Sequence, residues 1–200
     1  MRYFVYCADR AGSWDQRYEL REAHWSYMDG YEAQLYARGP TFNADRTEVT
    51  GSLHIVELPS DDAAWAFAEE EPYRRAGVYE AVEVFRFDDL LGRSMWQFPG
   101  PDGDRFLAVA LTGDEPPALG DEDRPGGEDR QGGAVGSGGA GGLIVYGALR
   151  DLDGNSAGVG ACVQAGDADA AGALVRAVAH IKADVQVTVR PWQFGGRPAS

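Results

Sequence analysis

Residues 51–67 decide the fold, and they read GSLHIVELPSDDAAWAF. The apolar and β-branched residues of Gly51–Leu58 predict a buried strand. Ser60 is a typical helix N-cap, and Asp61 and Asp62 add the negative charge that a first helical turn favours. We therefore expect a strand that leads into a short helix, which Pro72 ends.

Further elements extend on both sides of this stretch. Strands are predicted at residues 2–8, 35–41 and 78–87, with a turn at residues 43–46. A helix is predicted from Ser13, in a capping box with Gln16. One apolar stripe of that helix recurs at three- and four-residue steps and consists of Leu20, His24, Tyr27, Tyr31 and Leu35. The order βαββαβ predicts an α+β, ferredoxin-like unit.

A second copy of this unit is suggested downstream. Residues 158–174, which read GVGACVQAGDADAAGAL, can be laid without gaps on residues 51–67. Residues 106–111, 143–149 and 185–189 then supply the remaining strands. We interpret the chain as a tandem duplication, with one domain at 1–100 and a degenerate second domain at 104–112 and 143–200.

The segment 113–142 separates the strands of the second copy. It has no apolar periodicity, and seven acids against two Arg give its stretch 114–130 a local charge of −5. Such a segment buries too little apolar surface to offset its backbone entropy. We predict an acidic, Gly-rich, disordered insertion.

Composition restricts the classes of partner. The chain has 200 residues, 44% of them hydrophobic, which is enough for a core, and its net charge of −14 would repel nucleic acid and anionic membranes. No apolar stretch approaches the ~18 residues that span a bilayer, and Met1 leads directly into a strand without a signal peptide pattern. We predict a cytoplasmic protein without nucleic-acid or membrane partners, with Cys7 and Cys162 as buried free thiols.

His24 is the first candidate for chemistry, because it lies on the apolar stripe of the first helix. An imidazole has an unperturbed pKa of roughly 6.5, so it can act as a general base near neutral pH. The alternative is a core histidine that makes one hydrogen bond. The sequence contains no metal-ligand spacing, phosphate-binding Gly loop or dinucleotide fingerprint, so we expect no metal and no cofactor.

The order of five features across residues 21–87 resembles that of the YciI-like (YCII-related) family of small α+β proteins. The features are His24, Gly39-Pro40, Gly51-Ser52, Glu71-Pro72-Tyr73 and Gly77-Val78-Tyr79-Glu80. The resemblance covers roughly residues 1–90. It implies two sheets packed face to face as an α+β barrel, here as a pseudo-dimer of the two tandem copies.

The resemblance also implies a site. His24 stands at the place of the family's candidate catalytic residue, and Ser52 at the place of a hydroxyl that reaches the same pocket. Glu71 stands where the family usually has Asp, and such a carboxylate would accept the second imidazole N–H and fix its tautomer. The family triplet makes Tyr73 a pocket neighbour. Three further expectations come from the residues themselves: Arg21 lies one helical turn from His24, Tyr27 and Tyr79 belong to an aromatic content that could line an aromatic pocket, and His54 alternates along its strand beside Ser52. Each has a structural alternative, in the core, on a strand face or on a solvated helix end.

The leading hypothesis is a cofactor-independent enzyme on an aromatic or polycyclic metabolite. His24 would move a proton in an elimination, isomerisation, cyclisation or dehydration, and the family resemblance includes an aromatic dehydrochlorinase. The alternatives are a non-catalytic ligand-binding or accessory protein and a cofactor-free oxygenase. Uncovered sheet surface in the second copy would favour a homodimer.

Overall fold

A computed structural model describes residues 1–100, 102–119 and 140–197 of the chain. The first half contains four strands and four helices. These are β1 (Arg2–Asp9), α1 (Trp14–Glu19), α2 (Arg21–Asp29), β2 (Leu35–Phe42), β3 (Val49–Glu57), α3 (Asp61–Glu69), α4 (Pro72–Arg75) and β4 (Tyr79–Asp89). Most of the predicted insertion 113–142 lies outside the described residues.

The second half contributes four more strands and one α-helix within the described ranges. These are β5 (Arg105–Ala110), β6 (Leu143–Arg150), β7 (Ser156–Gln164), α5 (Ala168–Val178) and β8 (Thr188–Trp192). Short 3₁₀ turns lie at Met95–Gln97 and Ala140–Gly142. None of the helices in the described ranges is long and apolar enough to cross a membrane.

The eight strands close into one antiparallel barrel in the order β1-β3-β2-β8-β5-β7-β6-β4. The α+β class is confirmed. The first-half strands are neighbours in the order β4-β1-β3-β2, and the second-half strands follow the matching order β8-β5-β7-β6. The halves join where β4 pairs with β6 and where β2 meets β8 at Thr41 and Trp192.

Two stretches of the halves correspond in detail. The offset that aligns residues 158–174 with 51–67 also aligns the observed bounds of β7 with those of β3. Each strand leads to a capped helix, because Ser60 Oγ accepts from the Ala63 N–H at 3.2 Å and Asp167 Oδ1 accepts from the Ala170 N–H at 2.7 Å. The predicted cap at Ser60 is confirmed.

Apolar residues form three clusters on the two sides of the barrel. One cluster packs under α2, α3 and α4, a second packs under α5, and the third combines residues of both halves. The third includes Phe4, Leu53 and Ile55 from the first half with Leu107 and Ile144 from the second. Cys7 and Cys162 are buried free thiols, as predicted.

The structure differs from the predictions at three element boundaries. The predicted capping box does not form. Ser13 makes no side-chain cap bond, its N–H donates to the Arg10 carbonyl at 3.1 Å, and the Gln16 side chain accepts from Arg10 at 3.2 Å and donates to the Ala76 carbonyl at 2.7 Å. The helix also breaks at Leu20 into α1 and α2. Helix α3 ends at Glu69, and Pro72 begins α4, where its missing N–H costs nothing. The last strand is shifted from 185–189 to Thr188–Trp192. Its Pro191 is tolerated because β8 meets β2 only at its end.

Candidate functional site

A cavity of about 240 Å³ lies between helices α1 and α2, strands β2 and β3, and the chain after β8. Its walls are mainly aromatic and aliphatic side chains, with a few polar groups. The lining residues are Trp14, Arg17, Tyr18, Arg21, His24, Trp25, Met28, Arg38, Gly39, Pro40, Val49, Ser52, His54, Tyr73, Phe194, Gly195 and Gly196. Concave, mostly apolar sites with few polar groups are typical of small-molecule binding.

His24 and Glu71 form a close pair at the wall of this cavity. His24 Nδ1 lies 2.6 Å from Glu71 Oε1. Glu71 precedes α4 as its N-cap, and its second oxygen accepts from the Arg74 backbone N–H at 3.1 Å. The His24 side chain is 13% exposed and that of Glu71 is 2% exposed. The imidazole therefore faces the cavity while the carboxylate stands behind it.

The surroundings of the pair shift both pKa values. Burial raises the pKa of Glu71 to about 7. Burial lowers the pKa of His24, and the charges of Arg17 and Arg38 lower it further. At neutral pH His24 is thus uncharged. When Glu71 is ionised it accepts the Nδ1 proton, so Nε2 keeps a free lone pair, the form that a general base requires.

Tyr73 holds the imidazole from one face. The two rings stack with centroids 4.4 Å apart and an interplanar angle of 14°. The guanidinium carbon of Arg17 lies 4.5 Å from the centroid of the same Tyr73 ring. The orientation of His24 is therefore restricted by a hydrogen bond in its plane and by a ring across its face.

Ser52 is held by a buried ion pair that the sequence did not suggest. Arg17 donates to both carboxylate oxygens of Asp9, at 2.8 and 3.0 Å, and to Ser52 Oγ at 2.6 Å. The hydroxyl thus accepts from a cation, which leaves its own proton available for another acceptor. Such a hydroxyl can donate to a bound oxygen.

Most of the predicted site residues meet at the cavity. His24, Ser52, Arg21, Tyr73 and His54 line it, and Glu71 contacts His24. His54 is 2% exposed, its ring lies 6.0 Å from that of His24, and its Nδ1 has no hydrogen-bond partner in the described ranges.

Tyr27 and Tyr79 do not line the cavity, contrary to the prediction. The Tyr27 hydroxyl donates to the Phe67 carbonyl at 3.1 Å, which binds α2 to α3. Tyr79 is buried behind Tyr73, with the two rings 5.7 Å apart at 81°. Both residues belong to the apolar cluster under the first-half helices.

The cavity has one more wall, formed by residues 193–197, which we call the closing segment. The Gln193 N–H donates to the Pro40 carbonyl at 3.2 Å, and the Gly195 N–H to the Arg38 carbonyl at 2.9 Å. At the other end, Arg197 donates to Glu22, Ser26 and Asp29 on α2, at 2.6, 3.1 and 2.8 Å. The closing segment therefore connects β2 to α2 beside the cavity.

The sequence carried a signal for one of the residues that we missed. Arg17, Arg21 and His24 are spaced by four and three residues, the spacing of neighbours on one helical face. Arg38 and the closing segment had no such signal, because their place at the cavity depends on the pairing of β2 with the second half. Within the described ranges, no group of three or more His, Cys, Asp or Glu is arranged to hold a metal ion.

Comparisons with known proteins agree on the first half of the chain. A family described as the YCII-related domain matches residues 1–88. Protein YciI of Escherichia coli O6:H1 (strain CFT073) is 37% identical over 94 residues, which cover 44% of this chain and 96% of that protein. An uncharacterised protein of Haemophilus influenzae is 30% identical over 94 residues, with the same shares of the two chains.

Two solved structures are also similar. One is the 5-chloro-2-hydroxyhydroquinone dehydrochlorinase of Burkholderia phenoliruptrix AC1100 in complex with 2,5-dihydroxybenzoquinone. It is 34% identical, covers 43% of this chain and 92% of its own, and has a TM-score of 0.41. The other, a protein of Lactobacillus acidophilus NCFM proposed to be a monooxygenase, is 9% identical over 96% of this chain and 92% of its own, with a TM-score of 0.45.

Proposed function

We propose, from the premise that this chain belongs to the YCII-related family, that it is a small-molecule enzyme in which His24 transfers a proton. The observation that carries the proposal is the His24–Glu71 pair, 2.6 Å apart, at the wall of an apolar cavity. A base that is oriented by a carboxylate and open on its other side has the arrangement of a catalytic dyad.

The pair would work through the free Nε2 lone pair of His24. Nε2 accepts a proton from a C–H or O–H group of the bound molecule, and Glu71 stabilises the imidazolium that forms. The electrons left behind form a new double bond while a leaving group departs with its own electron pair, or they shift the double bond. Burial and the charge of Arg17 disfavour the imidazolium, so it gives its proton back readily.

The reaction class follows from this proton balance. Elimination, isomerisation, cyclisation and dehydration all need a proton acceptor and a proton donor but no electron carrier, so we propose one of these on an aromatic or polycyclic metabolite. The dehydrochlorinase named above makes elimination of HCl the first reaction to test. Ser52 would donate to a substrate oxygen, and Tyr73, Arg21 and His54 would shape the cavity wall.

We further propose that the barrel is a pseudo-dimer of two ferredoxin-like copies, at 1–100 and at 104–112 with 143–200. The matching strand order of the halves and the shared offset of β3 and β7 support this interpretation. The second copy would have lost its own site and would contribute a wall to the first through Phe194, Gly195 and Gly196.

Replacement of His24 tests the proposal. The protein is incubated with chlorinated hydroxyhydroquinones, and chloride release is measured for the wild type and for His24→Gln. Loss of a general base lowers turnover by about 10²–10⁴-fold, so we expect a decrease of that size with an unchanged circular dichroism spectrum. Undiminished turnover in His24→Gln would exclude the base.

The second candidate function is ligand binding without conversion. It is favoured by the engagement of both Glu71 oxygens, because a carboxylate that caps α4 also has a purely structural use. Mass spectrometry of bound compounds separates the two functions. A carrier returns its ligand unaltered, whereas an enzyme releases a product.

A further inference from the structure

We propose that the ligand of this cavity is an aromatic anion and that Arg38 binds its negatively charged oxygen. The anionic group would be a carboxylate, phenolate or enolate. The site is that of the proposed function, on which this inference rests for the substrate class. Binding of the anion by Arg38, however, holds whether or not His24 is a catalytic base.

The first observation is the charge of the cavity wall. Its lining includes three guanidinium groups, those of Arg17, Arg21 and Arg38, and no carboxylate from the described ranges. The chain as a whole carries a net charge of −14. A cationic hollow in an acidic protein concentrates anions and repels cations.

The three guanidinium groups are not equivalent. The charge of Arg17 is compensated by Asp9, to which it makes two hydrogen bonds. Arg21 lies over the ring of Tyr18 and donates to the Tyr18 carbonyl at 2.7 Å, at the exposed side of the cavity. Arg38 forms no ion pair with any described residue, and its buried Nε has no hydrogen-bond partner there.

The second observation is where Arg38 lies. On the sheet it is paired with His54, whose Nδ1 is also buried and also lacks a partner in the described ranges. The His54 ring lies 6.0 Å from that of His24. Arg38 Nε and His54 Nδ1 both lie behind the cavity surface. The two Nη groups of Arg38, which lines the cavity, are not among the buried atoms and make no hydrogen bond to a described residue. They are therefore the donors that an oxygen anion in the cavity can reach.

The closing segment sets the position of Arg38 from behind. The Gly195 N–H binds the Arg38 carbonyl at 2.9 Å. A Cβ on Gly196 would lie 3.1 Å from Arg38 Nη2, so the glycine leaves the guanidinium its space. The second half of the chain thus supports the cation in the cavity of the first.

The remaining walls indicate an aromatic frame for the anion. Trp14, Trp25 and Phe194 line the cavity together with Met28 and Val49. Flat apolar walls favour planar rings, and a guanidinium binds a carboxylate or phenolate oxygen with a charge-assisted hydrogen bond. Burial and the charges of Arg17 and Arg38 lower the pKa of His24. An anion bound at Arg38 would offset part of this positive charge, so that binding would raise the pKa of His24 and make it a stronger base.

The test compares two planar probes that differ in charge, 1-naphthoate and the neutral 1-naphthamide, by isothermal titration calorimetry on the full chain. A hydrogen bond to a charged group contributes more than a neutral one when it is shielded from bulk water. We therefore expect the wild type to bind 1-naphthoate about tenfold or more tightly than 1-naphthamide. Arg38→Gln should remove this preference, and Arg38→Lys should keep part of it. Arg75→Gln removes the same charge from an exposed position outside the cavity and should leave the preference unchanged.

Three results would overturn the assignment. They are equal affinities of the two probes in the wild type, an unchanged preference in Arg38→Gln, and an equal loss in Arg75→Gln, which would reveal a general charge effect. His24→Gln separates this inference from the proposed function. If it retains the anion preference while turnover proves independent of His24, the anion site stands and the base does not.

Discussion

Glu71 uses its two carboxylate oxygens for two different tasks. Oε1 faces His24 Nδ1, and Oε2 caps helix α4 by accepting from the Arg74 backbone N–H. Only an ionised carboxylate can accept at both positions at once. Once Glu71 is protonated it can donate to Nδ1, and Nε2 then carries the ring proton and cannot act as a base.

The substitution Glu71→Gln tests this dependence on the tautomer. If the Gln oxygen keeps the bond to the Arg74 N–H, its amide group faces Nδ1 as a donor and holds His24 in the inactive tautomer. We therefore expect kcat/KM to fall by about 10²-fold or more although both hydrogen bonds remain. Steady-state kinetics on the substrate found with the wild type measures the change. An activity equal to that of the wild type would contradict the dyad.

The pH profile belongs to the same prediction. In the wild type kcat/KM should rise with pH through an apparent pKa near 7 that belongs to the coupled pair, because burial raises the pKa of Glu71 to about 7. Glu71→Gln should lack this rise of kcat/KM with pH.

The free energy of unfolding should change with pH in the opposite direction. Because burial raises the pKa of Glu71, the folded state binds the Glu71 proton more tightly than the unfolded chain does. As the pH rises from about 4.5 to 7, the free energy of unfolding of the wild type should therefore decrease relative to that of Glu71→Gln.

At this scale the sequence predicted the pair but not its electrostatics. Helical spacing placed His24 on an inward face, and the resemblance of the acid-Pro-Tyr triplet placed Glu71 near it. The sequence predicted a helix end at Pro72, whereas Glu71 caps the start of α4. Whether Glu, with one more methylene than Asp, still reaches the imidazole depended on the backbone before α4. Arg38 could not be predicted, since a lone Arg in a strand pattern does not show which face it takes.

Among the elements, β2 and the closing segment lie in close backbone contact at the cavity. A Cβ on Gly39 would lie 1.8 Å from the Gln193 carbonyl oxygen and 2.9 Å from the Gly195 nitrogen. Backbone atoms cannot give way as a flexible side chain does. Gly39 thus allows the chain after β8 to reach the cavity.

Gly39→Ala should therefore push the closing segment away from β2. We expect a loss of about 1–3 kcal/mol in the free energy of unfolding, the range for an overpacked site. We also expect weaker 1-naphthoate binding, because Phe194 would leave the cavity wall. Denaturant unfolding and calorimetry measure the two effects.

Gly166→Ala is the matched control, because nothing lies within 4 Å of the added methyl group and its backbone conformation is an ordinary one. It should change stability by less than about 1 kcal/mol. If Gly39→Ala behaved like this control, the closing segment would not depend on the close contact.

Element positions were predictable where a local signal existed. Ser60 caps α3 as expected, and the turn at residues 43–46 joins β2 to β3. Predictions failed where a distant partner decided the outcome. The Gln16 side chain bonds to Arg10 and Ala76 instead of accepting the Ser13 N–H, and β8 takes its register from β5 and β2.

On the scale of the whole molecule, the inner cluster of the barrel is shared between the halves. Phe4, Leu53 and Ile55 of the first half pack with Leu107 and Ile144 of the second. Without the second half, this sheet face would be exposed as one apolar patch, and such patches drive association. The relatives that match over 96% of their own length cover only 44% of this chain, and the family match lies at residues 1–88.

A fragment of residues 1–100 should therefore not remain a monomer. We expect a homodimer or larger species in size-exclusion chromatography with light scattering, because a second fragment can cover the face that β5–β8 cover in the full chain. Ile55→Glu in the fragment places a charge on that face, which should abolish the association, whereas Asp62→Lys on the outer helix α3 should not. A folded monomeric fragment would show that the first half does not need a second sheet. The full chain at equal concentration shows whether the barrel, once closed, associates further.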